Sequence, residues 1–297
     1  MSSRAFWGAD IGGTTTIVGS FSGGTGFRRL AVLETRPSEG PGRLFAELSS
    51  TILGADPEPA SVGIGIAGLV DRSRGWLEFS PNLRGWEGLD VASRMGALTG
   101  ARVVVDNDCN AFAYGAVGSG YVPSGGLQVL VTLGTGIGGT IIDSGRILYG
   151  TGYAGEFGHM PVDALGLACP CGSTGCWERY AGREALIRYF TGTGGGAGGP
   201  DPREIAALAA DGDARASEAF ATFGRWVGTG LAGLANCLSP EGFYLAGGLS
   251  NTAGLFLPSA REEFGRRTRH PWSVAILPGS SDAGALGAAL MARDSAS

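Results

Sequence analysis

The sequence predicts an α/β chain of two domains, each built on its own sheet. Three observations predict it. At 297 residues the chain is long enough to bury two separate cores. Short apolar, β-branched runs alternate with stretches of helical spacing. A hairpin signature with a glycine turn occurs twice, at Asp10 to Thr16 and at Gly134 to Gly139, so two halves open on the same device.

In the first copy, the apolar run Ala5 to Ala9 enters Asp10-Ile11-Gly12-Gly13-Thr14-Thr15-Thr16, and Ile17 to Phe21 resumes it. The amides of Gly12 and Gly13, with the hydroxyls of Thr14, Thr15 and Thr16, can cradle phosphate oxygens, and Asp10 can hold a hydrated Mg²⁺. An ordinary tight turn is the competing reading, and the chain has no G-x4-G-K-[ST] loop. Leu44 to Leu53 has helical spacing. Val62 to Val70 reads as one buried strand whose glycines, Gly68 among them, point to something packed on its backbone. In the loop Ser80 to Trp86, Asn82 either reaches a ligand or is simply a polar loop residue.

Ala101 to Val105 is a further strand, ending in Asp106-Asn107-Asp108-Cys109-Asn110 before the helical Ala111 to Ala116. Polar residues where a parallel strand gives way to a helix stand where α/β sheets bind ligands. Asp108 can accept a proton from a hydroxyl that Asn107 holds. Helix capping alone needs one such residue, and this loop offers four. Leu127 to Leu133 then runs into the second glycine turn, Gly134-Thr135-Gly136-Ile137-Gly138-Gly139, before Thr140 to Ile142. Two such turns can close on one polyphosphate from opposite sides.

Glu156 to Glu178 carries one His, three Cys and two Glu among small and apolar residues. Cys169, Cys171 and Cys176, spaced C-x-C-x4-C with Gly172 and Gly175 between them, can aim three sulfurs at one point, and His159 lies ten residues upstream. One nitrogen and three thiolates close a tetrahedral zinc site, and a site with no open position is structural. Buried thiols or a disulfide are the alternative. A metal there also fixes Glu156 and Glu178, whose carboxylates suit the vicinal hydroxyls of a polyhydroxylated ligand.

Beyond this segment, Arg183 to Phe190 reads as helix and Thr191 to Pro200 as a glycine-rich surface loop. Asp201, Pro202 and Glu204 carry a helix start. A long amphipathic helix after Gly212 places Phe223, Trp226, Val227, Leu231 and Leu234 on one face as core. The strand Phe243 to Ala246 meets Gly247-Gly248, a pair that lets a base or ribose approach, Val274 to Leu277 is another strand, and Asp282 to Met291 is a small-residue helix. His270 reads as a surface residue.

Composition sets limits on the partners. Glycine is the outlier at 55 residues, well above the usual share of about 7%. A net charge of −5 without any basic run argues against nucleic acid. No run reaches about 18 apolar residues and the N-terminal stretch lacks a signal-peptide pattern, so the expectation is a cytoplasmic protein that does not meet the membrane. Cys109 and Cys237 are expected as reduced, buried thiols.

D-I-G-G-T at 10 to 14, D-N-D-x-N at 106 to 110, L-G-T-G-I-G-G at 133 to 139, E-F-G-H at 156 to 159, C-x-C-G-x2-G-C-x-E at 169 to 178 and A-G-G at 246 to 248 stand in the order found in the ROK family of sugar kinases and sugar-responsive repressors. The resemblance covers nearly the whole chain. The zinc cassette is its most specific part, and GCWERYAGREAL after it looks most like the zinc-containing bacterial glucokinases of that family.

The resemblance implies the actin-like ATPase (ribonuclease H-like) fold, with two α/β domains around a central cleft. These would be an N-terminal domain over 1–110, a larger one over 111–281 carrying the zinc site, and a final helix over 282–297 returning to the first. It implies an ATP-dependent hexose kinase in which Asp108, as catalytic base, takes the proton of the sugar's 6-hydroxyl as it attacks the γ-phosphate of MgATP. Gly68, Asn82, Asn107, Glu156, His159 and Glu178 would bind the sugar, with His159, Cys169, Cys171 and Cys176 on zinc. Asp10, Gly12, Gly13, Thr14 and Thr15 would form one phosphate loop, Gly134, Thr135, Gly136 and Gly138 the second, and Gly247 and Gly248 would meet the nucleotide.

Two departures stand out. Thr15 occupies a place where the family usually has Lys, one positive charge fewer near the phosphates, and Tyr114-Gly115-Ala116 replaces a common A-L-G-E. Glucose or a close relative is the expected acceptor. An amino-sugar kinase acting on kanosamine, N-acetylmannosamine or N-acetylglucosamine is the alternative, and inorganic polyphosphate is an alternative donor. A sugar-sensing repressor is disfavoured because only nine residues precede Asp10. A homodimer or homotetramer is expected by the same resemblance.

Overall fold

Strands β1 (Phe6–Ile11) and β2 (Thr15–Ser22) pair antiparallel with Ile11 opposite Thr16, so the turn falls on Gly12, Gly13 and Thr14. The computed structural model describes residues 5–23, 26–192, 199–278 and 282–296. Strand β3 (Gly26–Glu34) continues the meander, helix α1 (Pro41–Ala55) crosses over, and β4 (Ser61–Ile66) returns parallel to β1. Leu44, Leu48 and Ile52 recur every four residues along α1 and are buried, as its spacing predicted.

The strand expected from Val62 to Val70 is broken. At Gly68 φ is 136°, a conformation that suits glycine alone, and the chain turns there out of the first sheet. It enters a three-stranded sheet of β5 (Leu69–Asp71), β6 (Trp76–Phe79) and β7 (Leu89–Asp90). Helix α2 (Val91–Thr99) then leads to β8 (Arg102–Asn107), parallel to β4, and the first sheet has the order β3-β2-β1-β4-β8. Helix α3 (Asp108–Gly118) starts where β8 stops.

Strands β9 (Leu127–Leu133) and β10 (Ile137–Asp143) form the second glycine hairpin, and the short β11 (Arg146–Ile147) follows. Helices α4 (Glu178–Ala181), α5 (Arg183–Thr191), α6 (Pro202–Ala210) and α7 (Ala214–Leu238) precede β12 (Gly242–Ala246). Helix α8 (Ala253–Arg267), β13 (Val274–Ile276) and α9 (Ala283–Ser295) complete the chain. Strands β10, β9, β12 and β13 lie side by side in that order. The start of α6 is the predicted capping box, with Arg203 N donating to Asp201 Oδ1 and Asp201 N donating to Glu204 Oε2. Of the glycine-rich loop expected after α5, residues 193–198 lie outside the described residues.

The described residues divide into two compact units, the first within 1–124, 145–154 and 280–297 and the second within 125–144 and 155–279. The first unit runs past the boundary expected at residue 110, because α3 packs along α9 and stays with the sheet that launches it. Helix α9 also lies on β1 and β4. Glycines permit that approach: a methyl group at Gly8, Gly63, Gly115 or Gly287 would collide with the backbone of Ala285, Ala288, Ala283 or Ala111 respectively. Much of the glycine excess therefore serves backbone-on-backbone packing.

In the second unit Phe223, Val227, Leu231 and Leu234 on α7 are buried, whereas Trp226 is half-buried and packs on Tyr180 with ring centroids 4.3 Å apart. Cys109 is half-buried and Cys237 exposed, which corrects the expectation of two buried thiols. Cys109 lies in the first turn of α3 and Cys237 in the last turn of α7. Among the described residues no helix is long and apolar enough to cross a membrane.

Candidate active site

In the first unit, strand register gathers the acidic groups. Asp10 on β1 is level with Gly65 on β4, which is level with Asp106 on β8, and all three strands are parallel. Asp108 follows at the first turn of α3. Gly65 keeps the space open, since a methyl group there would sit 2.6 Å from Ala111 Cβ and 3.6 Å from the Asp108 Cα. Burial pushes Asp10 up to about 7, helped by the charge of Asp108. Burial also raises Asp108 above the ordinary carboxylate range, against the pull of hydrogen bonds from Cys109 and Asn107. Two half-buried carboxylates repelling one another suit a divalent cation, so Asp10 fits a role in holding Mg²⁺.

Asn107 caps α3, its Oδ1 accepting from Cys109 N at 2.8 Å, and its Nδ2 donates to Gly68 O at 2.9 Å. Two residues expected to bind sugar thus fix one another. Asp106, counted in the sequence only as one polar residue of the loop, is 2% exposed and anchors the whole segment. It accepts from Asn107 N at 2.8 Å, Asn110 Nδ2 at 2.9 Å and Tyr149 Oη at 2.8 Å, and it pairs with Arg72 Nε at 2.7 Å. Arg72 and Tyr149 were missed because no local pattern joins them to residue 106. Only their aromatic and basic character could have drawn notice.

The first glycine turn is narrower than expected. Gly12 N donates to Thr15 O at 3.0 Å, so this amide closes the turn and is not one of its open donors. Thr16 is buried against Thr35, with hydroxyls 3.0 Å apart, while Thr14 and Thr15 are exposed. Asn82 is exposed beside this turn, its Cβ 3.1 Å from where a Gly13 methyl group would stand.

The second turn also spends its first amide, Gly134 N donating to Gly136 O at 3.0 Å. Thr135 and Gly136 form its tip. Gly138, expected in the turn, is already in β10 opposite Thr132, because the hairpin closes within three residues. Arg183 N donates to Gly134 O at 2.9 Å, tying the turn to the start of α5. At the end of β12, Gly247 adopts φ 90° over Leu133 O, and Gly248 is exposed with open space about it.

The zinc expectation meets a cassette of the right shape. The ligand atoms of His159, Cys169, Cys171 and Cys176 all lie within 4.8 Å of one another, and every cysteine is free. Cys171 and Cys176 Sγ are 3.6 Å apart, and Cys169 Sγ is 3.9 Å from His159 Nδ1. Tetrahedral bonds of about 2.0–2.3 Å place ligand atoms roughly 3.5–3.8 Å apart, so the residues fit the ion. Burial pushes the Cys169 and Cys176 thiols up, and a cation reverses that preference.

Local pairing of Pro161 with Cys176 and of Ala168 with Thr174 sets the loop, and the buried Trp177 fastens it by donating to Trp226 O on α7 at 2.8 Å. The His159 imidazole lies between two carboxylates, Glu156 Oε2 at 3.9 Å from Nε2 and Glu178 Oε1 at 3.8 Å from Nδ1. Glu178 Oε2 points the other way, against Gly136.

A sequence profile described as "ROK family" matches residues 7–295. The chain is 34% identical to a glucokinase of Streptomyces coelicolor over 97% of both chains. It is 31% identical to an N-acetyl-D-glucosamine kinase of Aliivibrio fischeri over 92% of both. A crystal structure of a ROK family glucokinase from Streptomyces griseus, in complex with glucose and AMPPNP, superposes with a TM-score of 0.82 at 34% identity, covering 98% of this chain and 99% of that one.

Proposed function

The chain belongs to the ROK family, and from that premise we propose that it is an ATP-dependent glucose kinase with Asp108 as the general base. The fold is the actin-like ATPase type of the sugar kinases. Glucokinases among its relatives, and the likeness to an enzyme holding glucose and an ATP analogue, support glucose as acceptor and ATP as donor.

The observation that supports Asp108 is its setting at the head of α3. There burial raises its affinity for a proton while the Cys109 amide, donating to Oδ1 at 3.0 Å, holds its orientation. It takes the proton of the sugar's 6-hydroxyl as that oxygen attacks the γ-phosphate, a transfer whose rate comes mostly from positioning and neutralisation of charge. Mg²⁺, when bound, neutralises phosphate charge, and Asp10 is the residue that would hold it. The amides of Gly13 and Thr14 in the first turn, Thr135 and Gly136 in the second, and open backbone at Gly247 and Gly248 would take the nucleotide.

Gly68 and Asn82 complete the sugar-facing set of the first unit with Asn107. Glu156, His159 and Glu178 would supply further acceptors, and His159, Cys169, Cys171 and Cys176 are the residues that would hold zinc. The missing Lys at Thr15 leaves phosphate binding to backbone amides and the metal. A coupled ADP-release assay across glucose, mannose, glucosamine, kanosamine and N-acetyl sugars tests the reading, with the highest kcat/KM expected for glucose. Preference for an N-acetyl sugar would move the assignment to the amino-sugar kinases, which the Aliivibrio fischeri relative represents. A net charge of −5 and five free thiols support a cytoplasmic enzyme without nucleic acid or membrane partners. Its assembly as a homodimer or homotetramer is measured by light scattering.

A further inference from the structure

Asp106 spends both carboxylate oxygens twice in a nearly sealed site. Oδ1 accepts from Asn107 N and Asn110 Nδ2, which belong to the catalytic loop and α3. Oδ2 takes Tyr149 Oη at 2.8 Å and Arg72 Nε at 2.7 Å, from two remote parts of the chain. The Arg72 guanidinium also lies 3.7 Å over the centre of the Tyr149 ring, so the two side chains hold each other as well as the carboxylate. Tyr149 lies in the stretch 145–154, where the chain joins the first unit for ten residues between two segments of the second.

We propose that Tyr149 and Arg72 are positioning residues for phosphoryl transfer, acting through Asp106 on the Asn107–Asp108 pair. This rests on the reading of Asp108 as the base. A buried carboxylate keeps its orientation only while its partners hold it, and loss of one partner leaves a charge uncompensated. Asp106 fixes the backbone N–H of Asn107. Asn107 in turn grips Gly68 O and shares the Cys109 N–H with Asp108, at 2.8 and 3.0 Å, so the orientation of the base is coupled to Tyr149 through Asp106 and Asn107. Burial and the charge of Asp106 raise the Tyr149 phenol, which therefore stays a donor at neutral pH.

The test is steady-state kinetics of Tyr149→Phe and Arg72→Met in the full chain with glucose and MgATP. The expected result for Tyr149→Phe is a kcat about tenfold lower, KM for MgATP within twofold, and a melting temperature within about 4 °C of the parent. Arg72→Met should lose more. In an Asp108→Asn background, Tyr149→Phe should add no further loss, because it acts through the group already removed. An unchanged kcat in Tyr149→Phe, or the same tenfold loss in the Asp108→Asn background, would overturn the proposal. Full activity of Asp108→Asn alone would remove the base assignment and this inference with it, and is read without touching Tyr149.

Discussion

Glu178 Oε1 stands 3.8 Å from His159 Nδ1, while the other oxygen of the same carboxylate lies against Gly136 in the second glycine turn. One side chain therefore touches both the metal cassette and the turn assigned to phosphate, and a change at either end reaches the other. A methyl group at Gly136 would sit 2.6 Å from Glu178 Oε2. Gly136→Ala is expected to raise KM for glucose as well as for MgATP, each by about three- to tenfold, or ~0.7–1.4 kcal/mol. The two substrates are varied in turn. A rise confined to MgATP would break the connection.

The cassette itself predicts a metal content and a stability. Cys171 is exposed, so Cys171→Ser removes a ligand without disturbing core packing. Elemental analysis of the parent should find about one zinc per chain and the variant little. Thermal unfolding should then lose on the order of several kcal/mol, because binding energy at a closed site is folding energy. Unaltered unfolding of a zinc-free variant would leave the cassette without a structural role.

Asp10 gives a pH dependence. Its folded-state value near 7 lies above the ordinary 3.8, so between these the folded state binds more protons than the unfolded one. Stability of the Mg²⁺-free protein should therefore fall as pH rises from about 4 to 7, by at most ~1.4 kcal/mol per pH unit and less for solvent screening. Mg²⁺ and nucleotide should offset the loss at the upper end. Melting curves across pH, with and without MgATP, check this. In Asp10→Asn the slope should flatten.

Packing under α9 predicts a sharper loss. A side chain at Gly63 would strike the Ala288 carbonyl, and backbone yields less readily than a flexible side chain. Gly63→Ala is expected to lower the unfolding free energy by about 2–3 kcal/mol in denaturant titration, with zinc content unchanged. A loss below about 0.5 kcal/mol would show that the helix shifts freely.

Both hairpins, the capping box at Asp201, the stripe on α7 and the clustering of His159 with three cysteines were legible because each is written in neighbouring residues. What escaped was long-range or a matter of single bonds. Nothing local in Val62 to Val70 announces that Gly68 turns out of the sheet, or that Gly12 and Gly134 spend their amides inside their own turns. Gly138 was misplaced for the same reason, the hairpin closing sooner than its run of glycines suggests. Asp106 read as one polar residue of four, since its partners Arg72 and Tyr149 come from elsewhere in the chain.

The role of Asp108 is tested most directly by the Asp108→Asn variant, measured for glucose binding by calorimetry and for turnover by ADP release. The account predicts a dissociation constant for glucose within about threefold of the parent and a kcat lower by at least 10²-fold, the usual scale of a lost general base. A variant that binds glucose as before and turns over at the parent rate would contradict it.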